Sequence, residues 1–205
     1  MNSSTILLIK SSVFDRDREL IVDNAFLSFD NKDRIAVPPT TFLKEDITAF
    51  RYGVKWIKGY SFVIGRIYCV DIKSSSGEVI KIRLKSIYGV NRTRLHEKYA
   101  ILINALYDTY FDGITGHYLQ QFSESVDFQL LGIAFRQDGI LLDKNRLIKW
   151  EDLGTRSYST YYTVFSKSDP NIYKAFEYLN DWNTGIIYSV SREILKSKNL
   201  LPEVV

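Results

Sequence analysis

The sequence predicts an α+β fold, mainly β: two tandem curved antiparallel sheets, each closed by a carboxy-terminal α-helix. Three observations carry that expectation. The chain repeats itself at half its length: Phe29 and Phe135, Asp46 and Asp152, Ile47 and Leu153, and Tyr52 and Tyr158 each stand about 106 residues apart. That interval points to two copies of one small domain rather than a many-repeat array. Each copy also alternates apolar and polar residues, as half-buried strands do, and then switches to an apolar stripe of helical spacing. The expected domains are residues 1–122, with a lead-in and an extra short helix, and residues 128–205.

Residues 1–19 read as a polar lead-in with one strand, Thr5 to Ile9, and the first copy begins near Ile21. Pro38-Pro39 bars a helix and a central strand, which marks a connection or a sheet edge. Phe50, Tyr52, Val54 and Trp56 alternate with Arg51, Gly53 and Lys55. Tyr60 to Ile72 is nearly apolar on both faces, which suits a central strand. Ser74 to Gly77 is a tight turn, and Val79 to Lys85 returns as a hairpin strand with Ile80, Ile82 and Leu84 facing in. Leu95, Tyr99, Leu102, Ile103, Leu106, Tyr110 and Phe111 then recur at helical spacing, with Asn91 or Thr93 as the cap and Asp112-Gly113 as the stop. Ile114 to Phe122 reads as a second short helix before the linker Ser123 to Asp127.

In the second copy Asp138-Gly139 signals a hairpin between Ile133–Phe135 and Ile140–Leu142. Strands are expected over Leu147–Leu153, Ser157–Phe165 and Ile172–Leu179, the last with a helix as the alternative. Asn183 or Thr184 caps a final helix whose Ile186, Ile187, Val190, Ile194 and Leu195 form one stripe, and Leu200 to Val205 is a tail.

The chain has 205 residues, 45% of them apolar and 25% charged, enough to build two sizeable cores. No segment approaches the roughly 18 uncharged apolar residues of a membrane span. The opening run is too short for a secretory signal, so the expected address is cytoplasmic and the Asn2 and Asn91 glycosylation triplets are chance matches. The single cysteine, Cys69, sits in a strand and reads as a reduced core thiol.

Strands ending in Trp150-Glu151-Asp152-Leu153, a Tyr- and Thr-rich hairpin, and Asp181-Trp182-Asn183-Thr184 opening the last helix resemble the pleckstrin-homology-like (PH-like) superfold. The resemblance implies a bent antiparallel sheet of two near-orthogonal halves plugged by one terminal helix, here in tandem over residues 21–198. It also implies a binding role toward phospholipid head groups, peptides or proteins, without choosing among them.

Charge carries the strongest functional signal. Between Ala49 and Lys98 lie eleven basic residues against Asp71, Glu78 and Glu97, an excess of eight in a chain whose net charge is +3. The candidate binding residues are Arg51, Lys55, Lys81, Arg83, Lys85, Arg92 and Arg94, with Lys81, Arg83 and Lys85 on one strand face and Arg51 and Lys55 on another. Tyr52, Trp56, Tyr60 and Tyr88 are interleaved with them, as a lipid interface or single-stranded nucleic acid would use. The structural alternative is a solvated sheet exterior that discourages edge pairing.

A rival of another class, a metal-dependent hydrolase, would use Asp46, Asp71 and Lys73 to hold a cation and stabilise charge. Glu45-Asp46 and Glu151-Asp152 recur in both copies, however, which argues for a structural duty at a turn. His96 and His117 lack partners at zinc-ligand spacing. No phosphate loop or nucleophile elbow occurs, so neither cofactor nor metal nor catalysis is expected. The expectation is a non-catalytic binding or scaffolding module. Its partner is a protein, met at the groove between the copies or at a sheet edge. The alternative partner is a polyanion, either phospholipid head group or nucleic acid, on the first copy's basic strands.

Overall fold

A computed structural model describes residues 4–12, 15–32, 34–143 and 146–201. Residues 202–205 of the expected tail and Asn2-Ser3 of the first triplet lie outside these. Strand outweighs helix and every sheet is antiparallel, so the class is α+β and mainly β. The chain divides into two compact units, Met1–Asp112 and Gly113–Val205.

In the first unit β1 (Thr5–Ile9), β2 (Arg18–Val22), β3 (Phe26–Phe29) and β4 (Thr40–Leu43) form one four-stranded meander. The expected polar lead-in is therefore part of a sheet, with Ile6 opposite Ile21. Alternation explains it: Ile9, Arg18, Leu20 and Val22 are buried while their neighbours face outward. A 3-10 turn, Lys44–Asp46, leads into β5 (Ile47–Lys58), β6 (Val63–Ser74) and β7 (Val79–Ile87), a three-stranded sheet with β6 at its centre. Helix α1 (Arg92–Leu106) follows.

One face of β5–β7 is apolar: Phe50, Tyr68, Val70, Ile72, Ile80, Ile82 and Leu84 are all buried. Each such side chain contributes about 1.5–3 kcal/mol on leaving water. Tyr68 packs on Tyr99 of α1 at 5.0 Å, and Phe50 stacks flat on Phe111. The Tyr110 hydroxyl lies 2.7 Å from the carbonyl oxygens of Asp23 and Phe26, tying the helix to the first sheet as well.

Asp112-Gly113 does not end the helix. Tyr107–Phe111 forms a π-helical turn, and α2 (Asp112–Ser123) continues from it. The wider turn carries both Tyr110 and Phe111 into the core, and an exposed helical glycine costs only about 1 kcal/mol relative to alanine.

The second unit repeats the element order. Strands β8 (Phe128–Leu130), β9 (Ile133–Arg136), β10 (Gly139–Leu142) and β11 (Arg146–Lys149) form a four-stranded meander. A 3-10 turn, Trp150–Asp152, precedes β12 (Leu153–Ser157), β13 (Tyr161–Ser166), β14 (Tyr173–Glu177) and α3 (Thr184–Ser197). The stripe Ile186, Ile187, Val190, Ile194 and Leu195 is wholly buried.

The expected strand Leu147–Leu153 is broken by its turn because Trp150 points inward, its indole N–H donating to the carbonyls of Arg136 (3.0 Å) and Gln137 (3.1 Å). The expected strand Ser157–Phe165 is split by a tight turn in which the Tyr158 amide donates to Tyr161 O at 2.8 Å. Helices α1 and α3 are each entered through an asparagine, Asn91 and Asn183, in left-handed conformation (φ 55° and 64°) without a side-chain capping bond. The shared device is backbone geometry that asparagine tolerates, not the expected side-chain cap.

The strand pairing also corrects the repeat. Asp46 and Asp152 end equivalent 3-10 turns, and Ile47 and Leu153 open equivalent strands opposite Ser74 and Ser166. Phe29, however, lies on the third strand of its meander and Phe135 on the second strand of its own. A register irregularity between Ile47 and Ala49 also displaces Tyr52 from equivalence with Tyr158 by one residue.

Candidate functional site

Strand pairing places Arg51 opposite Asp71 and Asp71 opposite Lys81, with Cys69 opposite Arg83 and Ile67 between Lys55 and Lys85. Because side chains alternate along a strand, Arg51, Lys55, Lys73, Lys81, Arg83 and Lys85 all share the face of β5–β7 that turns away from Phe50, Ile72 and Ile80. The two separate basic faces expected from the sequence are one face. Asp71 is its sole acid, buried among the cations.

Arg51 Nε donates to Asp71 Oδ2 at 3.0 Å, and Arg83 Nη2 lies 2.5 Å from Oδ1. Arg83 also donates to the carbonyls of Val70 (3.1 Å) and Ile82 (2.8 Å). Arg51 and Arg83 are thus engaged within the sheet, while Lys55 and Lys81 are exposed.

That engagement bears on the hydrolase residues. The Asp71 carboxylate is held by two guanidinium groups, while Asp46 Oδ1 accepts from Ser75 Oγ at 3.2 Å and Asp46 O from the Ser75 amide at 2.8 Å. In the second unit Asp152 does the same work more fully, accepting from Ser166 Oγ (2.5 Å), Ser168 N (2.7 Å) and Ser168 Oγ (3.0 Å). The Ser166 hydroxyl, ahead of the Ser168 bonds, holds the Asp152 carboxyl below the usual carboxylate range. Both aspartates pin a 3-10 turn to the next hairpin. Among the described residues no cluster of three or more His, Cys, Asp or Glu side chains is placed to hold a metal ion. Cys69 is buried, and burial raises its thiol pKa, as expected for a core cysteine.

A concavity lies at the start of α1. A hollow of about 240 Å³ is lined by Lys10, Ser12 and Asp17 from the β1–β2 connection, Lys85 from β7, and Asn91, Arg94, Leu95 and Lys98 from α1. Four cations face one carboxylate there, beside the first turn of a helix whose partial positive charge adds to theirs. Lys98 Nζ donates to Leu8 O at 2.6 Å. Burial, and after it the charge of Arg94, holds the Lys98 ammonium below its ordinary pKa. Cations crowded in this way are relieved by an incoming anion.

Of the residues singled out in the sequence, Lys85 and Arg94 line this hollow. Arg51, Lys55, Lys81 and Arg83 lie on the sheet face, and Arg92 lines a separate hollow of about 190 Å³ with Trp56, Arg66 and Tyr88. Lys10, Ser12 and Asp17 were outside the basic stretch. The signal that could find them is the backbone pairing of Lys85 N with Ser11 O at 2.9 Å, which brings the β1–β2 connection to β7. No protein-family model, curated protein or solved structure matches the chain. No helix among the described residues is long and apolar enough to cross a membrane.

Proposed function

We propose that the chain is a non-catalytic cytoplasmic binding module of two PH-like domains, and that its first unit holds a phosphate-bearing anion. The hollow formed by Lys10, Lys85, Arg94 and Lys98 at the start of α1 carries this reading. The PH-like part is supported by the order within each unit: four strands, a 3-10 turn, three strands, then a helix. Cations on three elements converging on one concavity suit a compact phosphate, and the neighbouring face with Lys55 and Lys81 extends the positive field that would steer it in. Titration calorimetry with pyrophosphate at low salt tests this. Binding should be lost in Lys85→Glu/Arg94→Glu with an unchanged circular dichroism spectrum; retention by that variant would sink the reading.

A second reading, protein docking at a sheet edge, is favoured by β1, an edge strand that exposes Ile6 and Leu8. Main-chain pairing with an added strand would give the affinity there. A Leu8→Lys substitution should abolish capture of such a partner and leave pyrophosphate binding intact.

A further inference from the structure

The phosphate hollow does not use the far end of β5–β7, where the composition changes. The β5–β6 hairpin turns through Gly59, whose amide donates to Phe62 O at 2.7 Å, and the β7–α1 connection lies against it, Tyr88 N donating to Ile64 O at 2.8 Å. These two segments expose Trp56, Tyr60, Phe62, Val63, Ile87, Tyr88 and Val90 together. Tyr60 is fully exposed, Phe62 is 65% exposed and Tyr88 is 76% exposed. A packed exterior does not need such a concentration at one end.

The conformation there is also costly. Tyr88 has φ 50°, a left-handed value that bulky residues avoid, and Gly89 follows at 76°. Around the apolar residues stand Lys58, Arg66 and Arg92. The Arg66 guanidinium lies 4.5 Å from the Trp56 ring centroid. No acid occurs in residues 56–66 or 86–92.

We infer that this hairpin tip docks on an anionic lipid bilayer, with Tyr60, Phe62, Val63 and Tyr88 entering the interfacial region and Lys58, Arg66 and Arg92 meeting lipid phosphates. Two features favour a bilayer over a nucleic acid strand. Aliphatic Val63, Ile87 and Val90 gain by leaving water for acyl chains, whereas base stacking rewards only the rings. Tyrosine and tryptophan with a basic rim also match the layered polarity of a membrane interface. The inference is independent of the phosphate hollow, since the two surfaces share no residue.

The test is co-sedimentation with phosphatidylcholine vesicles and with vesicles containing about 30% phosphatidylserine, in the full chain. Binding is expected to the anionic vesicles and to fall at least tenfold in Tyr60→Ser/Phe62→Ser, whose pyrophosphate binding and circular dichroism stay those of the wild type. Lys85→Glu/Arg94→Glu, which disables the hollow, should keep the larger part of vesicle binding. A Tyr60→Trp reporter should shift to shorter emission wavelength and gain protection from iodide on adding anionic vesicles. The inference is overturned by absent sedimentation, by sedimentation that the double serine variant leaves unchanged, or by a reporter that stays open to iodide. It is equally overturned if that variant loses single-stranded oligonucleotide binding while its vesicle binding is unaltered.

Discussion

Asp71 offers a perturbation whose two consequences run in opposite directions. Its side chain is 6% exposed and bridges Arg51 and Arg83, themselves about a quarter exposed (25% and 28%). Removing one partner of a fully buried pair costs about 3–5 kcal/mol, and of a surface pair about 0–1. With a buried acid and partly hydrated bases, Asp71→Asn should cost about 2 kcal/mol. For a unit of this size that corresponds to a drop in Tm of roughly 8–12 °C. The same change removes the negative charge that Arg51 and Arg83 share and leaves the basic face without its only acid.

Urea unfolding followed by far-ultraviolet circular dichroism measures the first effect. The salt needed for elution from heparin measures the second, and it should rise. Exposed charges exchange readily with salt, so the shift should fade when the comparison is repeated at high ionic strength. A loss below about 0.5 kcal/mol would show that the triad is not holding the sheet. Unchanged or weaker heparin retention would refute the view that Asp71 limits the positive field of this face.

Other perturbations probe the frame. Asp152 has its carboxyl pKa depressed in the folded state, so its contribution is present above its unfolded value near pH 4 and is lost as pH falls through the folded value. Ser166→Ala should therefore flatten the acid limb of stability against pH. Burial raises the Tyr162 phenol to about 12, so its contribution to the second unit should be present below pH 10 and be lost as pH rises toward 12; because burial also raises Tyr178, Tyr162→Phe should lessen the alkaline weakening without removing it, and absorbance at 295 nm with circular dichroism follows both events. Tyr110→Phe removes the hydroxyl that reaches Asp23 O and Phe26 O and should cost about 1 kcal/mol in urea titration. At Gly139 an added Cβ would collide with the Ile148 carbonyl, so Gly139→Ala should cost about 1–3 kcal/mol.

Gly139 also shows what the sequence could and could not reveal. Asp138-Gly139 correctly marked a hairpin, but for a different reason. Neither Asp138 nor Gly139 has positive φ; glycine is required because β11 passes too close for a side chain. Features set by local alternation were legible: the inward row Ile80, Ile82 and Leu84, the stripe of α3, and the buried Cys69. Features set by distant pairing were not. The irregularity near Thr48 and the strand offset of Phe29 and Phe135 depend on register. The hollow depends on the β1–β2 connection meeting β7, and four cations drawn from residues 10 to 98 carry no contiguous pattern.

The two units share a frame, and one difference between them, the length of two paired strands, locates the exposed aromatic surface. Strands β5 and β6 each have 12 residues, whereas their counterparts β12 and β13 have five and six. Residues 55–67, between the cross-strand pair Val54 and Tyr68, contain no buried residue, although they hold Lys55, Trp56, Tyr60, Phe62 and Arg66. A segment that adds nothing to the core yet exposes this much aromatic surface has its justification in what it touches. Replacing residues 58–64, between the cross-strand pair Ile57 and Gly65, with Asn-Gly, which suits a two-residue hairpin loop, should leave the first unit folded, because Phe50, Tyr68, Val70 and Phe111 keep their packing and Lys85 keeps its pairing with Ile67. Stability in urea should change by less than about 1 kcal/mol, while vesicle binding disappears and pyrophosphate binding persists. If the shortened chain fails to fold, the extension is part of the frame and the separation of frame from working surface is wrong.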